Sequence, residues 1–401
     1  VNTLWRQLAF ATNWPVLAAV AVLTSLGIVS IYADDAGDAA KQITFTVVGL
    51  ILLIAMQTVN YQIFARFAWT FYLLSLLPIL YTVIGALIGT GLKGNNPLPL
   101  VYNVNGAYAW ITIGPVGLQP AELTKISFIM VLAHYLRYRS NYRTFTGLIP
   151  PFLLAIVPLG LILKQPDLGT GLTFFAPLFA MVFVAGAKLR HLLLITLMGL
   201  MLGPVAWMAG KDRYGVPHSN IPGMSLLPEL IKDYQRERVY GLFSRNASEN
   251  KDVNYQPMMA SMAMGSGGWT GAGFGKIAVG EKLPEAHNDM IFAIIGEQFG
   301  FLGSMAVLVA YIVLFAAGVE IASATREPFG KLAAVGIIAL LAGQAFINLM
   351  VVTRLMPVTG ITLPFVSYGG SSLLASFLAV GLLLNIGQNR PMIMAKDSFE
   401  Y

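Results

Sequence analysis

Of the 401 residues, 56% are hydrophobic and only 11% are charged, less than half the roughly 25% found in soluble domains, and the mean hydropathy is +0.70. One water-soluble core of this length cannot bury that much apolar surface, so the composition excludes an ordinary soluble enzyme and puts the chain in a bilayer. The formal charge of +6 comes with no nucleic-acid-binding motif, which argues against nucleic acid as a partner, and the lack of Cys together with only four dispersed His argues against a transition-metal centre.

About 20 mostly apolar residues cross the hydrocarbon core as a helix, and the sequence offers ten such runs: 15–33, 42–59, 69–91, 121–136, 148–163, 171–186, 191–209, 300–324, 331–353 and 366–388. The expected fold is an all-α polytopic membrane protein with about ten transmembrane helices, a single membrane domain over 1–401. No small-residue cleavage site follows the first run, which reads as a span and not as a removed leader. Pro158, Pro177 and Pro204 fall inside runs and predict kinks supported by neighbouring helices.

An even count places both termini on one side, and short-loop Lys and Arg decide which. Arg66, then Arg137, Arg139 and Arg143, then Lys188 and Arg190, then Arg326 and Lys331 lie on the side of Arg6, Arg390 and Lys396, whereas the first loop opposite is acidic, with Asp34, Asp35 and Asp38. Both termini are therefore expected in the cytoplasm. The 210–299 segment is too long for the charge rule and is expected to be extracytoplasmic; it holds ten of the 19 acidic residues and nine of the 25 basic ones. Long loops on a rigid scaffold are where chemistry tends to sit. The 92–120 segment, with alternating apolar residues, is expected on the membrane surface or partly re-entrant.

Six constellations stand out, each with a functional and a purely structural reading. Leu283 to Asp289 ends where an apolar stretch begins; a carboxylate at such a junction can act as a general base or merely cap the next helix. Glu122 and Lys125 share a helix face at the start of the fourth span and mark either a polar cavity or a buried structural ion pair. In Lys164 to Thr170, Asp167 caps the sixth helix or binds a cation or substrate. The run from Gly265 to Gly275 fits neither the dinucleotide fingerprint nor the P-loop, leaving a phosphate cradle or close backbone packing. Ser367 to Ser372 opens the last span, for helix packing or for holding an anionic headgroup. Arg236 and Arg238 form either a phosphate-binding cluster or a solvated charged face.

In order along the chain, Asn105-Gly106-Ala107 with Trp110, Gln119-Pro120-Ala121-Glu122 with Lys125, Gln165 to Thr170, Leu283 to Asp289, and Pro364 with Ser367 to Ser372 resemble the SEDS family of shape, elongation, division and sporulation proteins, which includes RodA, FtsW and SpoVE. The resemblance spans Trp14 to Arg390, with departures at Ala109, Met259-Ala260, Met350 and Arg354. It implies a peptidoglycan glycosyltransferase that polymerises lipid II by inverting transfer and releases undecaprenyl pyrophosphate. Its implied setting is the bacterial cytoplasmic membrane, within the cell-wall synthesis complex and beside a class B penicillin-binding protein. It also implies Asp289 as the catalytic carboxylate. Lys125, Arg236 and Arg238 are then expected near the diphosphate, with Glu122 orienting Lys125, and Trp110, Asp167, Glu297, Ser367, Tyr368 and Ser371 shaping the substrate cavity. A divalent cation, Mg²⁺ or Mn²⁺, is expected there, and no organic cofactor. The short stretches outside the first and last spans favour the RodA branch over FtsW. A lipid II flippase or transporter would instead depend on midplane charges and tolerate neutralisation of Asp289, and a non-catalytic scaffold would lose only partner binding.

Overall fold

The computed structural model describes residues 13–89, 98–104, 107–114, 116–138, 143–165, 167–210, 218, 221, 231, 233–243, 251–277 and 286–388. Arg6, Asn105, Gly106, Arg139, Leu283 to Glu285, Arg390 and Lys396 of the sequence argument lie outside them.

The helices in chain order are α1 Trp14–Asp34, α2 Ala36–Thr58, α3 Tyr61–Arg66, α4 Ala68–Gly89, α5 Pro120–Arg137, α6 Ile149–Lys164, α7 Leu168–Leu172, α8 Phe175–Ala185, α9 Leu189–Met208, α10 Asp233–Phe243, α11 Lys251–Ser266, α12 Ile291–Ala324, α13 Pro328–Val352 and α14 Gly370–Gln388. Nine helical segments among the described residues are long and apolar enough to cross a membrane. The tenth expected span is α5, whose Glu122, Lys125 and Arg137 make it too polar by composition alone. Most of its side chains are nevertheless buried, because it packs against α4, α6, α8, α13 and α14. A polytopic helical membrane protein is what the sequence predicts and what the structure contains.

The departure from an all-α chain is a three-stranded antiparallel sheet, β1 Val101–Val104, β2 Ala107–Ile113 and β3 Val116–Leu118, in the order β1-β2-β3. Val101 pairs with Ile111, and Ile111 with Leu118. The period-2 alternation of the 92–120 segment is thus that of a sheet, which packs on α4 and through β3 on α14.

α12, α13 and α14 pack on one another, α12 also against α1, α14 against α2, and α13 against α5 and α8. At the other extreme, α9 is almost wholly exposed, with Leu193, Leu197, Leu200 and Met201 turned outward. With the exposed leucines and isoleucines of α2, α4 and α6, it supplies the apolar outer surface a lipid environment requires.

Contacts between helix termini sort the residues into two ends. One carries Arg66, Lys188, Arg190, Arg326 and Lys331, and there Arg137 Nε meets Glu327 Oε1 at 3.1 Å. The other carries the acidic α1–α2 turn, the start of α5, Asp167 and the start of α12.

The eighth span begins nine residues before its expected start. α12 runs from Ile291, and Gly300 interrupts it with φ 62° and ψ −154°, a conformation open essentially to glycine. At that break the helix exchanges partners with the glycine run. The carbonyls of Glu297 and Gln298 accept from Ala272 N (2.9 Å) and Gly273 N (3.1 Å), while Phe301 N and Leu302 N donate to Gly268 O (2.9 Å) and Trp269 O (3.2 Å). The four groups that two i to i+4 bonds would join are all satisfied by the neighbouring turn. The approach is close enough that a Cβ on Gly271, itself at φ +82°, would lie 2.0 Å from Gln298 O. Close backbone packing therefore accounts for Gly267 and Gly271 of the glycine run. Gly271→Ala is expected to lower stability by about 2 kcal/mol or more, read as an earlier thermal melt of the detergent-solubilised protein, while Gly275→Ala, with nothing within 4 Å of its Cβ, bears only the milder strain of its positive φ.

Candidate active site

The chain reaches Asp289 through a turn, Ala286 to Asp289, and starts α12 two residues later. Asp289 is 9% exposed. Its backbone carbonyl accepts a 2.7 Å hydrogen bond from Asn348 Nδ2 on α13, and the same nitrogen donates to Ile361 O at 2.8 Å. Two residues upstream, His287 is held from two sides: its Nδ1 lies 2.8 Å from Asp34 Oδ2, its Nε2 3.5 Å from Asp38 Oδ2, and its carbonyl accepts from Tyr368 N at 2.8 Å. The rings of His287 and Tyr368 meet edge to face with centroids 5.3 Å apart.

These contacts place the Asp289 turn against the acidic α1–α2 corner. Within that corner Asp35 caps α2, accepting from Gly37 N (2.6 Å) and Asp38 N (3.1 Å), and those backbone donors hold its carboxyl below the usual carboxylate range, Asp38 N first. The Tyr368 phenol is pushed above its ordinary value by burial, with the Asp38 carboxylate adding to the effect.

The connection from Thr353 to Gly369 links most of the remaining motifs. Arg238 donates through Nη1 to Val358 O at 3.0 Å. Gly169 lies so close to it that a Cβ would stand 2.1 Å from Thr359 O. Tyr311 on α12 donates to Pro364 O at 2.5 Å, and Gln42 on α2 to Ser367 O at 3.0 Å. Two non-glycine residues of this connection, Arg354 (φ 60°) and Phe365 (φ 66°), adopt left-handed backbone, which costs about 1 kcal/mol or more each. Burial of Phe365 edge-on against Phe377, centroids 5.3 Å apart, helps to hold one of them.

The serine run is engaged within the fold. Ser367 Oγ accepts from Leu363 N (2.7 Å), Ser371 Oγ accepts from Gln119 N (2.9 Å) and donates to Gly117 O (3.0 Å), and Ser372 Oγ meets Thr362 Oγ1 at 2.7 Å. Ser371 so ties the start of α14 to the end of β3 and the start of α5. Gln119 continues the chain of contacts, donating through Nε2 to Asp167 Oδ2 at 2.9 Å. Asp167 caps α7, accepting from Thr170 N (3.0 Å) and Thr170 Oγ1 (2.7 Å). Trp110, on β2, packs over Gly117 of β3.

Lys125 Nζ donates to Glu122 Oε1 at 2.7 Å, and the pair is almost fully buried, Lys125 at 2% exposure. Glu297, also buried, sits inside α12, not in a loop, one turn before the Gly300 break.

The structure does not gather the two arginines of α10. Residues two apart point to different sides of a helix. Arg236 turns inward, where Nη2 donates to Trp207 O (3.0 Å) and Ala209 O (3.1 Å) and so caps the C-terminal carbonyls of α9; Nη1 meets His218 and stands 3.5 Å from Asp233 Oδ1. Arg238 is exposed. The spacing alone carries this signal, whereas Asn348 and Gln42 have no part in the sequence reading and Gln119 enters it only within its motif. Their signal is an amide in an otherwise apolar or helix-initiating stretch, because a polar group at membrane depth requires a partner.

A cavity of about 330 Å³ lined by Gln62, Ala65, Arg66, His134, Arg137 and Tyr138 lies at the opposite end and takes no part in this arrangement.

Because the Glu122–Lys125 pair is buried, Lys125→Ala strands an uncompensated carboxylate and is expected to cost about 3–5 kcal/mol. Glu122→Gln/Lys125→Met should recover most of that loss in a denaturation series, and a double variant no more stable than the single would show that the stranded carboxylate is not the source of the loss.

A family model described as "Cell cycle protein", covering FtsW, RodA and SpoVE, matches residues 4–391. The chain is 33% identical over 387 residues to a probable peptidoglycan glycosyltransferase FtsW of Trichlorobacter lovleyi, covering 92% of this chain and 91% of that one. It is 32% identical over 387 residues to the stage V sporulation protein E of Bacillus subtilis, covering 92% and 94%. Among solved structures it superposes with TM-score 0.75 on a chain of a peptidoglycan synthase complex that coordinates polymerization and crosslinking, at 28% identity over 95% of this chain and 99% of that one. It superposes with TM-score 0.66 on the rod shape determining protein RodA of Thermus thermophilus, at 27% identity over 95% and 98%. With five motifs in order and these matches over nearly its whole length, the chain belongs to the FtsW, RodA and SpoVE family of cell cycle proteins.

Proposed function

We propose that the chain is a peptidoglycan glycosyltransferase that polymerises lipid II, with Asp289 as general base. The observation that carries this reading is the placement of Asp289. It is a largely buried carboxylate at the start of α12, with its backbone anchored from α13 and the preceding turn clamped by His287. A base that removes the proton from the attacking sugar hydroxyl must be partly desolvated and fixed in direction. The hydroxyl oxygen then forms the new bond to the donor's anomeric carbon as the bond to undecaprenyl pyrophosphate breaks, which inverts that carbon. The diphosphate leaves as a stable anion and needs no protein acid.

The cationic groups expected near the leaving group are differently disposed. Lys125 is paired with Glu122, Arg236 serves the end of α9, and Arg238, which donates to Val358 O from the exposed face of α10, is the arginine of this pair that lies toward solvent. Among the described residues no three His, Asp or Glu side chains are grouped to hold a metal ion. Mg²⁺ or Mn²⁺ enters this reading as the counter-ion that the diphosphate carries in, held by its oxygens and water. In this reading Trp110, Asp167, Glu297, Ser367, Tyr368 and Ser371 shape the substrate cavity, Asp167 and Ser371 through the contacts that hold the starts of α7, α5 and α14.

The basic end of the bundle faces the cytoplasm by the charge bias, and the Asp289 end faces outward in the bacterial cytoplasmic membrane. A class B penicillin-binding protein is the partner this reading requires, and the likeness to a chain of a peptidoglycan synthase complex supports it. The relatives bear FtsW and SpoVE names and two of the similar structures the name RodA, so the preference for the RodA branch has no specific support from them.

The test is polymerisation by the purified chain with a class B penicillin-binding protein whose cross-linking site is blocked, given labelled lipid II and Mg²⁺. Glycan polymer is expected from the native chain and a loss of at least about 100-fold from Asp289→Asn. Equal polymer from both would remove Asp289 as base. None from either, with another polymerase active on the same substrate, would move the function to flipping or scaffolding.

A further inference from the structure

Asn348 lies on α13 one turn before its end, between Phe346, Ile347, Leu349 and Met350, and is 1% exposed. A primary amide nitrogen has two protons, and here both go to main-chain carbonyls of segments far apart in sequence, Asp289 at 2.7 Å and Ile361 at 2.8 Å. The amide oxygen is buried and has no hydrogen-bond partner among the described residues. Stability alone disfavours such a group, since an unpaired buried acceptor is costly and a leucine of similar volume would avoid it. What leucine would lose is the coupling between the turn that carries Asp289 and the connection that touches Gly169, Arg238, Tyr311 and Gln42.

The geometry points to Asn348 as a positioning residue for the glycosyl transfer: through two carbonyls it holds the backbone of Asp289 and the Thr353 to Gly369 connection in one register, so that the carboxylate meets substrate bound against that connection. This rests on the reading of Asp289 as base. Neither an aspartate nor a leucine can replace it, because the first presents acceptors to two acceptors and the second presents no donor.

The experiment compares Asn348→Leu with Asn385→Leu. Asn385 is an equally buried amide on α14 whose nitrogen donates to the carbonyls of Met56 and Val59 and whose oxygen accepts from Tyr61 N, all at the end of the bundle opposite Asp289. Each variant is purified with the same partner, its folded fraction is measured, and kcat and KM for lipid II polymerisation are determined per folded molecule. Hydrogen exchange over residues 286–290 is followed alongside. Asn348→Leu is expected to lower kcat about 10- to 100-fold with KM within about twofold, and to speed exchange in 286–290. Asn385→Leu is expected to lower stability and leave kcat per folded molecule near that of the native chain. Should Asn348→Leu not fold, Asn348→Ser keeps one donor and is expected to show a smaller loss of kcat of the same kind. An Asn348 variant whose kcat falls no further than that of Asn385→Leu, or whose 286–290 exchange is unchanged, overturns the proposal. If Asp289→Asn is inactive while Asn348→Leu is fully active, the positioning role alone fails; if Asp289→Asn is fully active, the base and its positioning residue fail together.

Discussion

The arrangement depends on a single constraint: polar backbone carried into a bundle surrounded by lipid must find its partners inside the protein. The Thr353 to Gly369 connection is where that constraint is met most densely. Its carbonyls at Val358, Ile361, Pro364 and Ser367 accept from Arg238, Asn348, Tyr311 and Gln42, which belong to four different helices. Its last residues reach His287 through Tyr368 N. A non-helical segment serviced by so many elements cannot shift without moving the start of α12, and therefore Asp289, with it.

The same principle explains the neighbouring break in α12. Gly300 leaves carbonyls and amides of that helix unpaired, and the glycine run supplies the missing partners. Glycine is required because two backbones meet at distances no Cβ would allow. The helix stub from Ile291 to Phe299 so becomes a rigid support for Asp289, clamped by the Gly267 to Gly273 turn on one side and by Asn348 on the other. The two ends of the bundle are also chemically distinct. Arginines and lysines of the short connections gather at one end, while acidic and amide groups predominate around Asp289.

Much of this was legible in the sequence. The apolar runs correspond to the helices because a lipid-facing helix must be apolar for its whole length, and the junction character of Asp289 and the i, i+3 pairing of Glu122 with Lys125 follow from spacing. Gly267 and Gly271 of the glycine run meet neighbouring backbone, and the hydroxyls of Ser367, Ser371 and Ser372 are hydrogen-bonded within the fold. Other features were hidden for physical reasons. Glu297 and Gln298 interrupt the hydropathy of α12 and made its start look like loop. The strands from Val101 to Leu118 are short, and their alternation also suits a surface segment. Arg236 and Arg238 looked like a cluster because sequence proximity conceals the angle between residues two apart on a helix. Asn348 was invisible because nothing in its own surroundings announces the two distant carbonyls it holds.

The central claim is that Asp289 removes a proton and does not attack the sugar. The anomeric configuration of the glycosidic bond in the polymer, compared by NMR with that of the donor diphosphate, tests it directly. Single displacement assisted by a base predicts inversion at that carbon. Retention, or a glycosyl group trapped on the Asp289 carboxylate during turnover, would make Asp289 a nucleophile and contradict the account.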